Sequence, residues 1–166
     1  MIRKFLLFYF CIIFFSSSSN LLAEDFFFEG KEIQIIDNGE ILKSDKGIEI
    51  TSTNGIYITA QEFEYNKNKS ELVVKTNVII NDKINNAVIK SDQIKYFKNI
   101  EQIKTFGDTE ITIEKNIFIK TKDLIYLKNS NDLKSNYRTT VKDKYQNSFM
   151  SDDFLFNIND KVLKGR

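Results

Sequence analysis

The sequence contains no histidine and no proline, a single cysteine and only six glycines in 166 residues. Without histidine the commonest general base and metal ligand is missing, and Ser–His and Cys–His nucleophile arrangements are impossible. Cys11 is the only thiol, so the chain after it has no disulfide and no cysteine-ligated metal. Six glycines are too few for a calcium β-roll built on glycine-rich nonapeptides. These absences predict a protein that is not an enzyme and that holds no metal and no cofactor.

The charge is balanced, with 24 basic and 23 acidic side chains and a formal net charge of +1. Nucleic-acid-binding domains usually show a basic excess or a basic stripe. The balance therefore predicts no nucleic-acid partner.

Residues 1–23 have the pattern of a secretory signal peptide. "MIRK" is a short basic start, Phe5 to Phe15 is an unbroken apolar run, and "SSSSNLLA" ends at Ala23 as the cleavage point. The run is shorter than the roughly 20 apolar residues of a membrane-spanning helix. The alternative is an amphipathic or buried N-terminal helix. We predict a cleaved signal peptide at 1–23 and one exported domain at 24–166, which without disulfides suits the periplasm.

The exported part alternates apolar and polar residues in short segments. "GIEIT", "GIYIT", "ELVVK", "NVIIN", "TEITI" and "IFIKT" place apolar residues two apart, the spacing that puts them on one face of a strand. Between them lie "NKNKS", "NDKINN" and "KNSND", whose Asn, Asp and Ser favour turns. The pattern predicts an all-β fold with strands of about four to seven residues.

The same apolar pattern recurs along the chain. Starting at Ile89, apolar residues follow at offsets 5, 7, 14 and 22, and the same four offsets fit starts at Phe28, Ile58 and Ile119, at intervals of 30 or 31 residues. A fifth start at Phe149 fits offsets 5, 7 and 14. A fixed period of this size indicates repeats that bury their apolar faces by stacking. We predict an elongated stack of antiparallel strands with about 30 residues per unit.

Two further positions repeat in each unit. A small residue stands two after each start, and an acid follows within two more positions, as in Glu62, Asp92 and Asp123. Carboxylate pairs can catalyse reactions, but a residue that recurs in every unit is more simply part of the unit's structure. We therefore predict that these acids lie at strand ends or turns and bond to the backbone, and that no residue is catalytic.

The repeated apolar positions are the candidate functional residues. They form either the filled core of a sandwich or the lining of a trough for acyl chains, since sites for apolar ligands are concave and lined by such residues. A bulge between offsets 2 and 5 would swap the faces, so the inward face stays open at this point. The lipid-lining candidates are Ile58, Phe63, Tyr65, Leu72, Ile80, Ile89, Ile94, Tyr96, Ile103, Ile111, Ile119, Leu124, Tyr126, Leu133 and Val141.

Three segments carry a resemblance to a known family: "GIYITAQEFEYNKNKSELVVKTNVII", "IKSDQIKYFKNIEQIKTFGDTEITI" and "IKTKDLIYLKNSNDL". Over residues 26 to 166 the chain resembles the OstA-like domains of the lipopolysaccharide transport system. Its opening "EDFFFEGKEIQI" is more similar to the outer-membrane assembly protein, the LptD type, than to the periplasmic bridge protein, the LptA type.

The resemblance implies a β-jellyroll-like stack, open along one side, that carries lipid A chains through the periplasm toward the outer membrane. It also implies lipopolysaccharide and other OstA-like proteins as partners, the latter by edge-strand pairing. Free edges pair with other chains unless they are blocked, and this sequence has no proline to block them. The competing hypothesis is a structural or adhesive secreted β-repeat protein with a filled core.

Two features depart from the family pattern. The expected Gly-x-Val step is present as "FGDTEITI" from Phe106 but appears as "TNVII" from Thr76. The fifth unit reaches only "VLKGR", before the strand expected at offset 22. An incomplete last unit predicts a fragment of a longer protein, in which case an outer-membrane barrel becomes a further partner.

Overall fold

The computed structural model describes residues 26 to 165, and the predicted signal peptide at 1–23 lies outside them. Among the described residues there are sixteen β-strands and two short 3-10 turns, at Asp37–Gly39 and Lys98–Ile100. The strands are β1 (Phe26–Gly30), β2 (Gln34–Ile36), β3 (Ile41–Ser44), β4 (Ile48–Ser52), β5 (Ile56–Ala60), β6 (Glu62–Asn66), β7 (Glu71–Asp82), β8 (Ala87–Phe97), β9 (Gln102–Ile113), β10 (Ile117–Lys122), β11 (Ile125–Leu127), β12 (Asp132–Ser135), β13 (Thr139–Asp143), β14 (Ser148–Ser151), β15 (Phe154–Asn157) and β16 (Val162–Gly165). The all-β prediction is confirmed.

The strands form one continuous antiparallel sheet that folds over on itself into two layers. The first layer runs in the order β1-β4-β5-β7-β8-β9-β10-β13-β14. The second layer runs β2-β3-β6-β7-β8-β9-β11-β12-β15-β16. Strands β7, β8 and β9 are long enough to belong to both layers, so three unbroken backbones join the layers along one side.

The three long strands bend where they pass from one layer to the other, and we call this line the bend. The register slips between Lys75 and Val78 and again between Ser91 and Gln93. Such bulges kink a strand and change which face its side chains occupy. Ile89 and Ile94 are an odd number of residues apart, yet both are buried in the same core. Because of the bulge, the side chains at offsets 0, 5 and 7 all point into the interior, which settles which face of each strand is inward.

The departure from the Gly-x-Val pattern is absorbed by left-handed backbone. Gly107 has φ +84°, and in the preceding unit Thr76 and Asn77 take φ +66° and +56°. Asn tolerates this region, whereas a β-branched residue there is strained. The bend is thus made in both units, by glycine in one and by a Thr-Asn pair in the other.

The strand register lines up the repeated positions in two inner rows. In each row consecutive residues are direct partners on neighbouring strands. The first row consists of Phe28, Ile50, Ile58, Ile80, Ile89, Ile111, Ile119, Val141 and Phe149. The second consists of Ile35, Leu42, Tyr65, Leu72, Tyr96, Ile103, Tyr126, Leu133, Phe156 and Leu163. Offsets 0 and 22 make the first row, and offsets 7 and 14 the second, so the predicted repeat is confirmed.

Candidate functional site: the interior and its seam

The interior between the two layers contains all fifteen lipid-lining candidates. Tyr65 and Val141 are half-buried and pack against the core. The other thirteen are at most 4% exposed, namely Ile58, Phe63, Leu72, Ile80, Ile89, Ile94, Tyr96, Ile103, Ile111, Ile119, Leu124, Tyr126 and Leu133. The interior is thus closed by its own side chains in this structure, although the family resemblance implies a stack open along one side.

An aromatic cluster fills the interior at the β1 end. Phe26 lies edge-on to Tyr65 and Tyr96, with ring centroids 5.5 and 5.4 Å apart. Phe28 stacks on Phe63 at 5.2 Å. These contacts join the first layer to the second, and edge-on pairs of this kind add to the energy of burial. The end of the interior is therefore sealed by aromatic rings.

The inner side of the bend changes chemistry along the stack. At β7 it is apolar, with Val74 and Val78, whereas further along the stack toward β14 it carries several buried hydroxyls. The Thr105 and Thr109 hydroxyls lie 2.6 Å apart, and those of Thr121 and Thr139 lie 2.7 Å apart. A buried hydroxyl is costly unless it is hydrogen-bonded. These pairs satisfy one another, so the polar stretch of the bend is structural.

Opposite the bend, the layers meet along a line of turns that we call the seam. Successive turns of one layer are linked by the backbone, as in Lys83 N–H to the Gly55 carbonyl at 3.1 Å and Lys128 N–H to the Glu101 carbonyl at 3.0 Å. No continuous strand among residues 26 to 165 crosses this line. Along the seam, away from the aromatic end, the links found between the layers are polar side-chain contacts.

The first cluster at the seam is centred on Tyr126 of the second layer. Its hydroxyl donates to Asp82 Oδ2 at 2.7 Å and accepts from Asn85 Nδ2 at 2.9 Å, and both partners belong to the first layer. Asn131 Oδ1 lies 3.3 Å from the same hydroxyl. Burial and then the Asp82 carboxylate raise the pKa of Tyr126 well above its usual value. The phenol stays protonated and remains a donor.

The second cluster lies one unit away and is centred on Tyr96. The Tyr96 hydroxyl donates to Glu101 Oε2 at 2.7 Å, within the second layer. Asn54 Nδ2 of the first layer donates to both groups, at 3.1 Å to the hydroxyl and 3.0 Å to Glu101 Oε2. Lys128 Nζ lies 3.6 Å from the same carboxylate oxygen. Each of the two buried tyrosine hydroxyls thus donates to one carboxylate and accepts from one asparagine amide of the first layer.

A third contact crosses the seam further along, between Lys161 Nζ and Glu114 Oε2 at 2.7 Å. Both side chains are about half exposed, and solvent-exposed ion pairs contribute little to stability. This contact is consequently weaker than the two tyrosine clusters.

Sequence reasoning found the tyrosines but missed their partners. Asp82 ends strand β7, and Asn85 and Asn54 lie in turns, so all three are at positions that the apolar period does not mark. The single signal was that tyrosine, rather than phenylalanine, occupies offset 7 at Tyr96 and Tyr126, because a buried phenol needs a hydrogen-bond partner.

The repeated acids behave differently from one another. Asp123 Oδ1 accepts from the Gly107 N–H at 2.8 Å, as a structural turn residue would. Glu62 Oε1 instead accepts from the Thr76 hydroxyl at 3.2 Å. Within residues 26 to 165 no group of three or more acids could hold a metal ion.

A groove of about 610 Å³ lies on the outer face of the second layer. Its lining is charged and includes Lys43, Glu64 and Lys75. Lys95 and Glu71 in the same lining form an ion pair at 3.1 Å. Such a surface does not suit an acyl chain.

None of residues 26 to 165 belongs to a helix long and apolar enough to cross a membrane.

A stack of antiparallel strands in two layers, joined by long strands along one side, defines the class as a β-jellyroll-like repeat. A solved structure with this fold is that of LptH, the LptA homologous periplasmic component of the lipopolysaccharide transport device from Pseudomonas aeruginosa. The two match with a TM-score of 0.51 and 8% sequence identity, over 86% of this chain and 82% of the LptH chain. At that identity the likeness establishes the fold. No protein-family model matches the sequence, and no curated protein matches it.

Proposed function

We propose that the protein is a non-enzymatic periplasmic module that passes lipopolysaccharide toward the outer membrane, with the lipid A acyl chains in its interior. The observation that carries the proposal is the pair of inner rows, which place an apolar residue on every strand from β1 to β16. The fold shared with LptH, described as a component of a lipopolysaccharide transport device, supports the same role.

The interior suits acyl chains for a physical reason. Removing apolar surface from water is favourable by roughly 25 cal/mol per Å², and an opened interior lined by the inner rows would remove the surface of the acyl chains from water. The charged outer faces, with pairs such as Lys120–Glu110 at 2.6 Å, remain in water. A lipid whose sugars and phosphates stay outside while its chains lie inside matches this division.

The alternative of a structural or adhesive protein predicts a filled interior, and the interior is closed in this structure. A closed interior also fits a transport module that opens to receive its lipid. The comparisons give the adhesive alternative no support, because the solved relative is a transport component.

The same comparison also bears on the proposed position within the transport system. The solved relative is an LptA homologue, which favours the LptA type, whereas the LptD-type prediction rests on the opening segment alone. We infer partnership with other OstA-like proteins through the free edges of the end strands. An outer-membrane barrel is a partner only if the chain continues beyond Arg166.

Site-specific photocrosslinking tests the function. A photoreactive residue replaces Tyr65, Tyr96 or Tyr126, and each matched control replaces the residue just before it, which points outward: Glu64, Lys95 or Ile125. We expect lipopolysaccharide adducts from the inward positions and at least tenfold fewer from the outward ones. No adduct from any inward position, or equal adducts from both faces, contradicts the proposal.

A further inference from the structure

The two sides on which the layers meet differ in strength. At the bend, β7, β8 and β9 pass from one layer to the other as unbroken backbone, paired by ladder hydrogen bonds on both sides of the bulges. At the seam, side chains of turn and strand-end residues make the contacts. The layers can therefore part at the seam while the bend acts as the hinge, whereas parting at the bend would break three strands.

The Tyr126 cluster is built so that one hydroxyl carries most of the link. Asp82 is already held by its own turn: Oδ1 accepts from the N–H groups of Ile84 and Asn85 at 3.1 and 3.0 Å, and Oδ2 accepts from Asn85 Nδ2 at 2.8 Å. This acceptor stays in place whether or not the tyrosine is bound. The Tyr126 hydroxyl reaches it from the other layer, which makes the bond a reversible closure.

The Tyr96 cluster distributes its acid and its tyrosine differently between the two layers. There the acid, Glu101, belongs to the same layer as the tyrosine, and the first layer contributes the Asn54 amide and the edge-on Phe26 ring. Both hydrogen bonds from Asn54 cross the seam, so loss of this one side chain removes two of the polar links between the layers. Two consecutive units thus carry closures of the same three chemical groups on the same line.

We propose that acyl chains enter the interior sideways through the seam, and that the Tyr126–Asp82–Asn85 and Tyr96–Glu101–Asn54 clusters are latches that part to admit them. This inference rests on the proposed transport function. Sideways passage through the seam leaves the sugars and phosphates of the lipid in water throughout, because only the chains cross the line of turns. Both tyrosine rings then line the space that the chains occupy.

The latch is tested first without lipid. Spin labels are placed on the exposed turns of the two layers through Lys83→Cys and Asn129→Cys in the exported chain 24–166, whose sequence has no other cysteine. We expect Tyr126→Phe to shift the distance distribution between the labels to longer values. Tyr57→Phe is the matched control, because the Tyr57 hydroxyl also bonds a carboxylate, Glu49 at 2.7 Å, but on the outer face of one layer. A distribution for Tyr126→Phe that equals the wild type overturns the latch.

Sideways passage is tested with fluorescently labelled lipopolysaccharide. The same two cysteines are joined by a short bis-maleimide, and uptake is compared with the unjoined double variant. We expect joining to slow uptake at least tenfold, and Tyr126→Phe in the unjoined protein to accelerate it several-fold. Equal uptake by joined and unjoined protein overturns the inference while leaving the transport proposal intact. If neither form nor the wild type takes up lipid, the transport function and the admission of lipid by the latch both fail, and the distance measurement alone reports on the closure.

Discussion

The Tyr126 hydroxyl donates to Asp82 Oδ2 at 2.7 Å across 44 positions of sequence, and it joins the two layers at the side where no strand does. A fully buried phenol bonded to a carboxylate strongly favours its protonated form. The bond therefore ties the stability of the fold to a proton at high pH.

The first prediction concerns alkaline solution. Because the pKa of Tyr126 is raised in the folded state, its contribution is fully present below about pH 10, the ordinary pKa of tyrosine, and is lost as pH rises above that. We expect the wild type to lose about 1 kcal/mol more unfolding free energy than Tyr126→Phe between pH 10 and 11, and the difference to approach about 1.4 kcal/mol per pH unit above pH 11. Urea unfolding at several pH values measures this. Parallel pH profiles for the two proteins would contradict it.

The second prediction concerns the first inner row. Ile89→Ala deletes a fully buried side chain in the middle of the stack, and we expect it to lower the unfolding free energy by about 2 to 5 kcal/mol. Lys90→Ala, on the outer face of the same strand, should change it by less than about 0.5 kcal/mol. Equal losses in denaturant unfolding would show that Ile89 is not part of a tightly packed interior.

The third prediction concerns the bend. Gly107 has φ +84° and open space where a Cβ would lie, so Gly107→Ala adds backbone strain without a clash and should cost about 1 kcal/mol. Thr76 occupies the equivalent bend with φ +66°. Relief of strain in Thr76→Gly is partly offset by the entropy of glycine, so we expect a change between zero and about 1 kcal/mol of stabilisation. Thermal unfolding measures both, and destabilisation by both variants would argue against the left-handed bend.

The fourth prediction concerns the free edges. Within the chain, Leu133 lies opposite Phe156 where an offset-14 strand meets an offset-7 strand. β16 ends the second layer as an offset-14 strand and β2 begins it as an offset-7 strand. If two copies join end to end, Leu163 of one should lie opposite Ile35 of the other.

A cysteine pair tests that register. We expect Leu163→Cys and Ile35→Cys proteins, mixed under mild oxidation, to form a mixed disulfide. The control is Ile36→Cys, whose side chain points to the other face of β2. Equal yields with both partners, or none with either, would contradict edge pairing in this register.

The inner rows could be predicted from the sequence because each unit places one inward residue on each strand, and stacking keeps the same offsets in line. Ile58, Ile89 and Ile119 therefore lie in one row, each two strands from the next, as their period indicates. Which side chains point inward beyond the bend could not be predicted from the sequence. A bulge switches the inward positions from even to odd spacing and leaves no mark in the composition. Thr76 and Asn77 give no sign that they replace a glycine.

The seam could not be predicted for a different reason. Its bonds join a strand of one unit to a turn or strand end two units earlier, as Tyr126 to Asp82 and Tyr96 to Asn54. Turn residues vary from unit to unit, so the period does not align them. These groups meet only because folding places the two layers face to face.

The length of an inner row is the number of its strands multiplied by the spacing between neighbouring strands. Every unit adds two strands, and neighbouring strands lie about 4.8 Å apart, so each 30 residues lengthen the stack by roughly 10 Å. In the proposed transport role, the number of units therefore sets the reach of the path that one copy provides for the lipid. Inserting or deleting one whole unit should change that reach in a single step and leave the cross-section of the path unaltered.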